Sequence, residues 1–368
     1  MDHETPDILV VGLGPAGSRA AAVAAKAGYV VVAIERRAEA GCPVQCAEFV
    51  PGMIEREVPG VRSVTQQTIA RMLTFTEDNA PSETPEFRGL MIDRAAFDRM
   101  LATEAADAGA QCRYGTSVLA IDADGRVRTS DGRTLRPRIL IGCDGPRSRV
   151  GAAIGQVNHA LVDTRQVSVP LVLPHDATDI FLSANYRGGY GWLFPKGAVA
   201  NIGVGVAMEH RQRLKPLLDA LFARLSAERR IGTSPFDLTG GAIPVGGRLR
   251  ATGQLGSQLG RQLGRQLGPV PVLLAGDAAG LTNPVTGAGI ASAVQSGTLA
   301  GQAAVDWLNG RSHAVDLYEE DLGDIFDAAL GRAVRRRRQV LSRYDHGGRP
   351  DARALTDGWI GSPNYWAA

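Results

Sequence analysis

Short, unbroken apolar runs set the pattern of the first part of the chain. Asp7–Val11 reads as a buried strand, Ser18–Ala27 as a small-residue helix ended by Gly28, and Tyr29–Ile34 as a second buried strand closing at Glu35. Strands that are apolar on both faces suit a parallel sheet covered by helices, so these three predict one βαβ unit. Pro59 to Pro85 is irregular, apart from a strand at Arg71–Phe75. Arg94–Ala108 spaces Ala95, Phe97, Met100 and Leu101 as a helix does, and Gly109 stops it. Val118–Asp122 and Val127–Thr129 are short strands, Asp131-Gly132 is a hairpin turn, and Arg138–Cys143 is another buried strand.

From about Gly155 the pattern changes. Gln166–Leu173, Asp179–Ser183, Gly191–Phe194 and Ala200–Met208 predict a mainly antiparallel sheet, interrupted by a helix at Leu214–Ala227. A Gln-Leu-Gly-x unit runs four times from Gln254, too few residues for a solenoid. It reads as an expanded surface loop, because long exposed insertions cost little. Val270–Ala275 is a buried strand, followed by Gly276-Asp277, a loop and a long helix from about Gly289 to Leu308. Ala314 to Arg343 is helical and holds Arg335, Arg336, Arg337 and Arg338 in succession. The tail from Trp359 to Trp366 is aromatic, suited to packing back or to docking.

Composition narrows the class. A chain of 368 residues, at roughly 150 per domain, is two domains or one with an inserted lobe. Hydrophobic content of 44% and charged content of 21% exclude a disordered chain. The net charge of +2 gives no reason to expect nucleic acid as a partner. No run reaches the ~18 apolar residues of a membrane span, and the acidic start at Met1 to Glu4 is not a secretory leader. The four cysteines, Cys42, Cys46, Cys112 and Cys143, lack zinc-site spacing, so reduced thiols in a cytoplasmic protein and no metal are expected. Glycine is in excess, with 45 residues clustered between apolar runs, as where backbone must approach a ligand closely.

Three separated motifs point to one ligand. Gly12-x-Gly14-x-x-Gly17 opens the first helix: the first glycine turns the chain, the second admits a pyrophosphate and the third packs helix on strand. Amides at the helix start point at the phosphate, and Glu35 ends the second strand where an acid accepts from ribose hydroxyls. An acid at Glu35 favours FAD or NAD over NADP. The second motif runs from Ile139 to Val150 around Asp144-Gly145, which alone is an ordinary turn. In the third, Leu273 to Ile290, Gly276 precedes Asp277, which suits polyol hydroxyls. Amides of Gly287, Ala288, Gly289 and Ile290 open a helix whose positive end suits an electron-rich ring oxygen.

In this order the motifs resemble the FAD-dependent aromatic-hydroxylase superfamily, across about residues 7–310. The resemblance implies a Rossmann-type α/β FAD-binding domain, an antiparallel-sheet substrate domain and a helical C-terminal region. The expected division is 1–60 with 88–155 and 269–310, then 61–87 with 156–268, then 311–368. It implies further that Pro15, Ala16, Arg36 and Val118 line the ADP half, that Asp144 and Gly145 lie near the phosphates, that Asp277 holds the ribityl chain, and that Arg94 contacts the flavin. Arg94 also fits a surface arginine at a helix start. Within the superfamily, Gly14 to Ser18, Pro43-Val44-Gln45-Cys46, Tyr190-Gly-Trp192-Leu-Phe194-Pro195 and Asn283 to Ile290 resemble geranylgeranyl reductases. Ala47-Glu48-Phe49-Val50-Pro51 departs from the glycines that relatives tend to carry there.

The resemblance implies reduction of carbon–carbon double bonds in an isoprenoid or similar hydrophobic substrate by hydride from reduced flavin. Tyr190, Trp192 and Phe194 alternate along one strand and so face one side. They read as a substrate wall, with Pro284 beside it, or as ordinary core. Cys46 reads as a proton donor or ring-tuning thiol near the flavin, or as an inert buried cysteine, with Tyr190 and Trp192 as further catalytic candidates. No second Gly-rich dinucleotide unit follows, so NAD(P)H would bind transiently, and ferredoxin or a quinol are alternative donors. A flavin monooxygenase and a flavin electron-transfer protein share the three motifs. The four arginines read as a solvated face or as a peripheral contact with anionic lipid at the inner membrane face.

Overall fold

Ile8–Val11 and Ile139–Gly142 carry no charged residue and lie side by side in the middle of a six-stranded sheet. The computed structural model describes residues 3–256 and 269–367. The sheet runs Thr252–Leu255, Val270–Leu274, Ile139–Gly142, Ile8–Val11, Val31–Ile34, Gln111–Arg113. All neighbours are parallel except the first pair. The buried apolar strands are those the sequence predicts. Thr252–Leu255 and Gln111–Arg113 are not expected, being short and partly polar at the sheet edges, where pairing rather than pattern makes the strand. Thr252–Leu255 also corrects the expected division, because it extends the cofactor sheet from within 156–268.

Small residues fix how the helices cover this sheet. A Cβ on Gly297 would fall 2.1 Å from the Ala16 carbonyl oxygen, and one on Gly301 2.8 Å from that of Ala20. Helix Ile290–Leu308 therefore rests backbone to backbone on helix Pro15–Lys26. Helix Arg94–Asp107, capped by Asp93 accepting from the Ala96 amide at 2.8 Å, packs on the same helix, and Arg19 pairs with Glu104 at 2.7 Å.

The second large sheet runs Phe236–Thr239, Leu161–Pro170, Val199–Ala207, Gly191–Lys196, Ala177–Leu182, Arg71–Thr76, Ser82–Thr84, with Ala242–Pro244 also paired to Leu161–Pro170. It is antiparallel except where Ala177–Leu182 meets Arg71–Thr76. Alternation divides its faces. Leu193, Ile202 and Val204 pack with Leu218, Leu221 and Leu225 of helix Leu214–Ala227, while Ile180, Trp192 and Phe194 face the other way. A small sheet of Phe49–Pro51, Gly89–Ile92 and Thr65–Ile69 closes one side. None of its strands is expected from the sequence, since each depends on its neighbours for pairing.

Helix Ala314–Ser342 is clamped to the body. The Tyr318 hydroxyl donates to the Leu274 carbonyl at 2.7 Å, and Arg248 grips Asp327 at 2.7 and 2.8 Å and also bonds Glu319. The tail packs back, with Trp359 and Tyr365 buried. The four arginines are not one solvated face. Arg336 donates to the Tyr365 and Asn364 carbonyls, and Arg337 turns inward, leaving Arg335 and Arg338 exposed. Among the described residues no helix is long and apolar enough to cross a membrane. Of the repeat, Gln254 and Leu255 end a strand; residues 257–268 lie outside the described residues, as do Met1 and Asp2 of the expected non-leader start.

Overpacking the helix contact should be costly. Gly297→Leu is expected to destabilise the protein by about 3 kcal/mol, read as a lowered urea midpoint with unchanged slope.

Candidate active site

Gly12, Gly14 and Gly17 perform different tasks. Gly12 has φ +96°, and a Cβ there would meet the Cys143 carbonyl oxygen at 2.3 Å. A Cβ on Gly17 would meet the Gly12 carbonyl oxygen at 1.7 Å. Gly17 is therefore a packing residue, the task expected of the third glycine of the motif. Around Gly14 nothing lies within 4 Å of the Cβ position, and helix Pro15–Lys26 has no side-chain cap. This open backbone with free helix-start amides fits a pyrophosphate.

Glu35 braces the turn as well as facing the site. Its two oxygens accept from the Leu13 amide at 3.0 Å and the Arg37 amide at 2.9 Å, and each keeps a lone pair for a ribose hydroxyl. Asp144 accepts from Ser148 Oγ at 2.5 Å and from the Arg149 amide at 2.6 Å. Its carboxylate thus anchors the helix Arg149–Ala153, and burial raises its pKa against those bonds. Gly145, with φ +81° and open space around it, leaves its backbone uncovered beside Asp144.

Gly12, Gly14, Glu35, Asp144 and Gly145 line one cavity of ≈ 1540 Å³, larger than the roughly 300–1,000 Å³ of an ordinary small-molecule site. Pro15, Ala16, Arg36 and Val118 lie along it with Gly12, Gly14, Glu35, Asp144 and Gly145. Farther on it meets Cys46, Arg94, Gly276, Asp277, Pro284 and the segment Gly287, Ala288, Gly289, Ile290. Asp277 accepts from Thr282 Oγ1 at 2.6 Å through one oxygen, while the other has no partner among the described residues. Burial raises its pKa, opposed by the Thr282 bond and by Arg94. The uncapped start of helix Ile290–Leu308 opens on the same space. The open cradle at Gly14, the free Asp277 oxygen and this uncapped helix fit the phosphates, polyol and ring of FAD.

The other end is apolar. Tyr190, Trp192 and Phe194 share one wall with Trp359 and Phe49. Tyr190 meets Trp192 edge-on at 5.8 Å and Trp359 at 5.0 Å, and Phe194 meets Phe49 at 5.9 Å. The Tyr190 hydroxyl donates to the Thr286 carbonyl at 2.6 Å, which ties this wall to the loop before helix Ile290–Leu308. Burial pushes the phenol pKa up.

Cys46 stands between the two ends. Its thiol lies deep in the protein but opens on the cavity, and burial raises its pKa against the opposing Arg94 charge and the Glu48 amide, which donates to Sγ at 3.2 Å. Burial disfavours the Arg94 charge, but Asp98 at 2.7 Å and Cys46 outweigh it and hold the pKa above the ordinary arginine range. Arg94 is therefore no free surface arginine. Cys42 and Cys46 are both free thiols, as are Cys112 and Cys143. Among the described residues no cluster of three His, Cys, Asp or Glu side chains could hold a metal.

The sequence reading missed the residues that hold this junction. Glu48, φ +71° and buried, accepts from the Arg94 amide at 3.0 Å, Lys196 Nζ at 2.5 Å and Asn201 Nδ2 at 2.8 Å. Gln166 links Trp192 Nε1, at 2.9 Å, to the Cys46 carbonyl, at 3.0 Å. The available signal was polar residues inside apolar stretches: Glu48 before Phe49-Val50, and Asn201 between Ala200 and Ile202.

Comparison with known proteins agrees with this geometry. Residues 164–234 match the model of the geranylgeranyl reductase catalytic domain, and residues 58–189 match that of an FAD binding domain. Digeranylgeranylglycerophospholipid reductase 2 of Methanopyrus kandleri is 32% identical over 351 residues, covering 88% of this chain and 85% of that protein. The crystal structure of a geranylgeranyl bacteriochlorophyll reductase-like protein from Thermoplasma acidophilum superposes with a TM-score of 0.79 at 27% identity, covering 91% of this chain and 88% of that one. Pseudomonas aeruginosa PqsL, at 17% identity and a TM-score of 0.70 over 96% of this chain and 98% of its own, shares the fold alone.

Removing the Glu48 carboxylate strands Lys196. Glu48→Ala is expected to cost about 3 kcal/mol in chemical denaturation, and Glu48→Gln less, because it keeps an acceptor. The Cys46 thiolate should form late. Its alkylation by iodoacetamide, followed by peptide mass spectrometry, should still be accelerating above the ~8.5 pKa of a free thiol. A plateau by pH 8 would contradict the burial effect.

Proposed function

This chain belongs to the geranylgeranyl reductase family, and from that premise we propose that it saturates the double bonds of geranylgeranyl-type chains carried on a phospholipid or a related isoprenoid. It is an FAD-dependent oxidoreductase. The observation that carries the substrate reading is the aromatic wall of Tyr190, Trp192 and Phe194, continuous with the FAD cradle in one cavity. An isoprenoid chain has the apolar, extended shape for that wall, whose rings exclude water from the alkene.

Reduced FAD, when bound, supplies the hydride that goes to one alkene carbon. The other carbon needs a proton, and Cys46 is the candidate acid. Its raised pKa keeps the thiol protonated at neutral pH, and its sulfur opens on the cavity. As the S–H bond breaks, Arg94 and the Glu48 amide are placed to hold the charge on sulfur, and solvent restores the proton. Tyr190 is the weaker acid candidate, since its hydroxyl is already committed to the Thr286 carbonyl. Trp192 is assigned to the wall.

An external reductant must reload the flavin, and NAD(P)H, ferredoxin and a quinol are the candidates. A lipid substrate calls for an encounter with the bilayer at the inner membrane face. Of the arginine run, Arg335 and Arg338 are left for it.

Anaerobic, dithionite-reduced protein mixed with digeranylgeranylglycerophospholipid should reoxidise its flavin and give products heavier by two hydrogens per bond reduced, read by mass spectrometry. No mass gain, with oxygen-dependent hydroxylation of a small aromatic instead, would overturn the reading. Cys46→Ala should lower kcat about 100-fold while retaining FAD.

A further inference from the structure

Three arginines drawn into the protein have carboxylate partners. Arg94 has Asp98, Arg248 has Glu319 and Asp327, and Arg230 has Asp179. Arg337, on helix Ala314–Ser342, has only peptide carbonyls. Its Nη1 donates to Gly188 at 2.5 Å and Pro284 at 3.3 Å. Nε and Nη2 have no acceptor among the described residues, yet neither is sealed from solvent, and the side chain lines the cavity. Burial lowers its pKa to about 10, opposed by the charge of Glu209, which makes no ion pair with it. A desolvated cation without a counter-ion is costly unless an anion completes it.

Several other arginines line the same cavity without a carboxylate contact among the described residues, Arg332 and Arg211 among them. Arg332, from the same helix, lies over the Trp366 ring at 5.2 Å, and Arg211 is exposed on the turn Met208–Arg213. Trp366 is 58% exposed, so this end of the cavity reaches solvent. Arg337 bonds the Pro284 carbonyl beside the ring loop, and the pyrophosphate cradle at Gly14 belongs to a different part of the wall. Arg337 thus stands outside the Gly12–Gly17 turn on which the pyrophosphate reading rests.

We propose that Arg337, with Arg332 and Arg211, forms an anion subsite that takes the phosphate of the substrate headgroup while the aromatic wall takes its hydrocarbon. The proposal rests on the isoprenoid reading for the hydrocarbon part. Guanidinium groups suit it, because their planar fork matches phosphate oxygens. Trp366 beside Arg332 suits the boundary between the chain and its head.

The test uses FAD-loaded protein, with binding followed by tryptophan fluorescence and turnover measured separately. Wild type should bind geranylgeranyl phosphate about tenfold or more tighter than geranylgeraniol. Arg337→Gln should abolish that preference and leave geranylgeraniol binding unchanged, and Arg337→Lys should keep part of it. Equal affinities in wild type would overturn the proposal. So would an equal loss for both ligands in Arg337→Gln, which would make Arg337 a structural clamp. Inorganic phosphate displacing geranylgeranyl phosphate at comparable concentration would mark a free-phosphate site and also overturn it. A phosphate preference without reduction of either alkene supports the subsite and sinks the reductase reading. Reduction of both alkenes without a preference does the reverse.

Discussion

Glu48 brings a carboxylate into the seam between the cofactor cradle and the substrate sheet, and three donors from different parts of the chain converge on it. The Arg94 amide comes from the start of helix Arg94–Asp107, while Lys196 and Asn201 come from neighbouring strands of the large sheet. A buried carboxylate is tolerated only when its lone pairs are filled, so these partners are held in register. The left-handed backbone at Glu48 then aims its own amide at Cys46. The position of the thiol on the cavity wall follows from that single junction. Gln166 repeats the device on a smaller scale, joining Trp192 to the Cys46 carbonyl.

The cavity is continuous because its two ends are built by different physics. At the cofactor end, bare backbone makes the surface, and close approaches at Gly12 and Gly17 leave Gly14 open. At the apolar end, side chains make it, and strand alternation sends Trp192 and Phe194 to the cavity while Leu193 packs beneath the outer helix. The long C-terminal helix closes the arrangement. Its clamp through Tyr318 and Arg248 places Arg337 against the Pro284 loop, and the tail beyond it sets Trp359 on Tyr190.

The chain by itself determined the cofactor and much of the architecture. The Gly12–Gly17 turn, Glu35, Asp144-Gly145 and Asp277 are local signals, each readable because strand, glycine turn and helix must follow one another to make it. The buried parallel strands were equally legible, since apolar runs without polar breaks have few other uses. The Tyr190, Trp192, Phe194 alternation fixed which residues share a face, but could not say whether that face meets a cavity or a core.

Tertiary structure alone decided what required partners distant in sequence. Glu48 and Arg337 look like ordinary charges in the sequence, because burial and the missing or present counter-ion are properties of packing. The edge strands Thr252–Leu255 and Gln111–Arg113 exist because a sheet offers hydrogen bonds there, not because their side chains alternate. The arginine run divided into inward and outward members for the same reason. A helix presents each residue to a different neighbour, and only the fold says which neighbour is there.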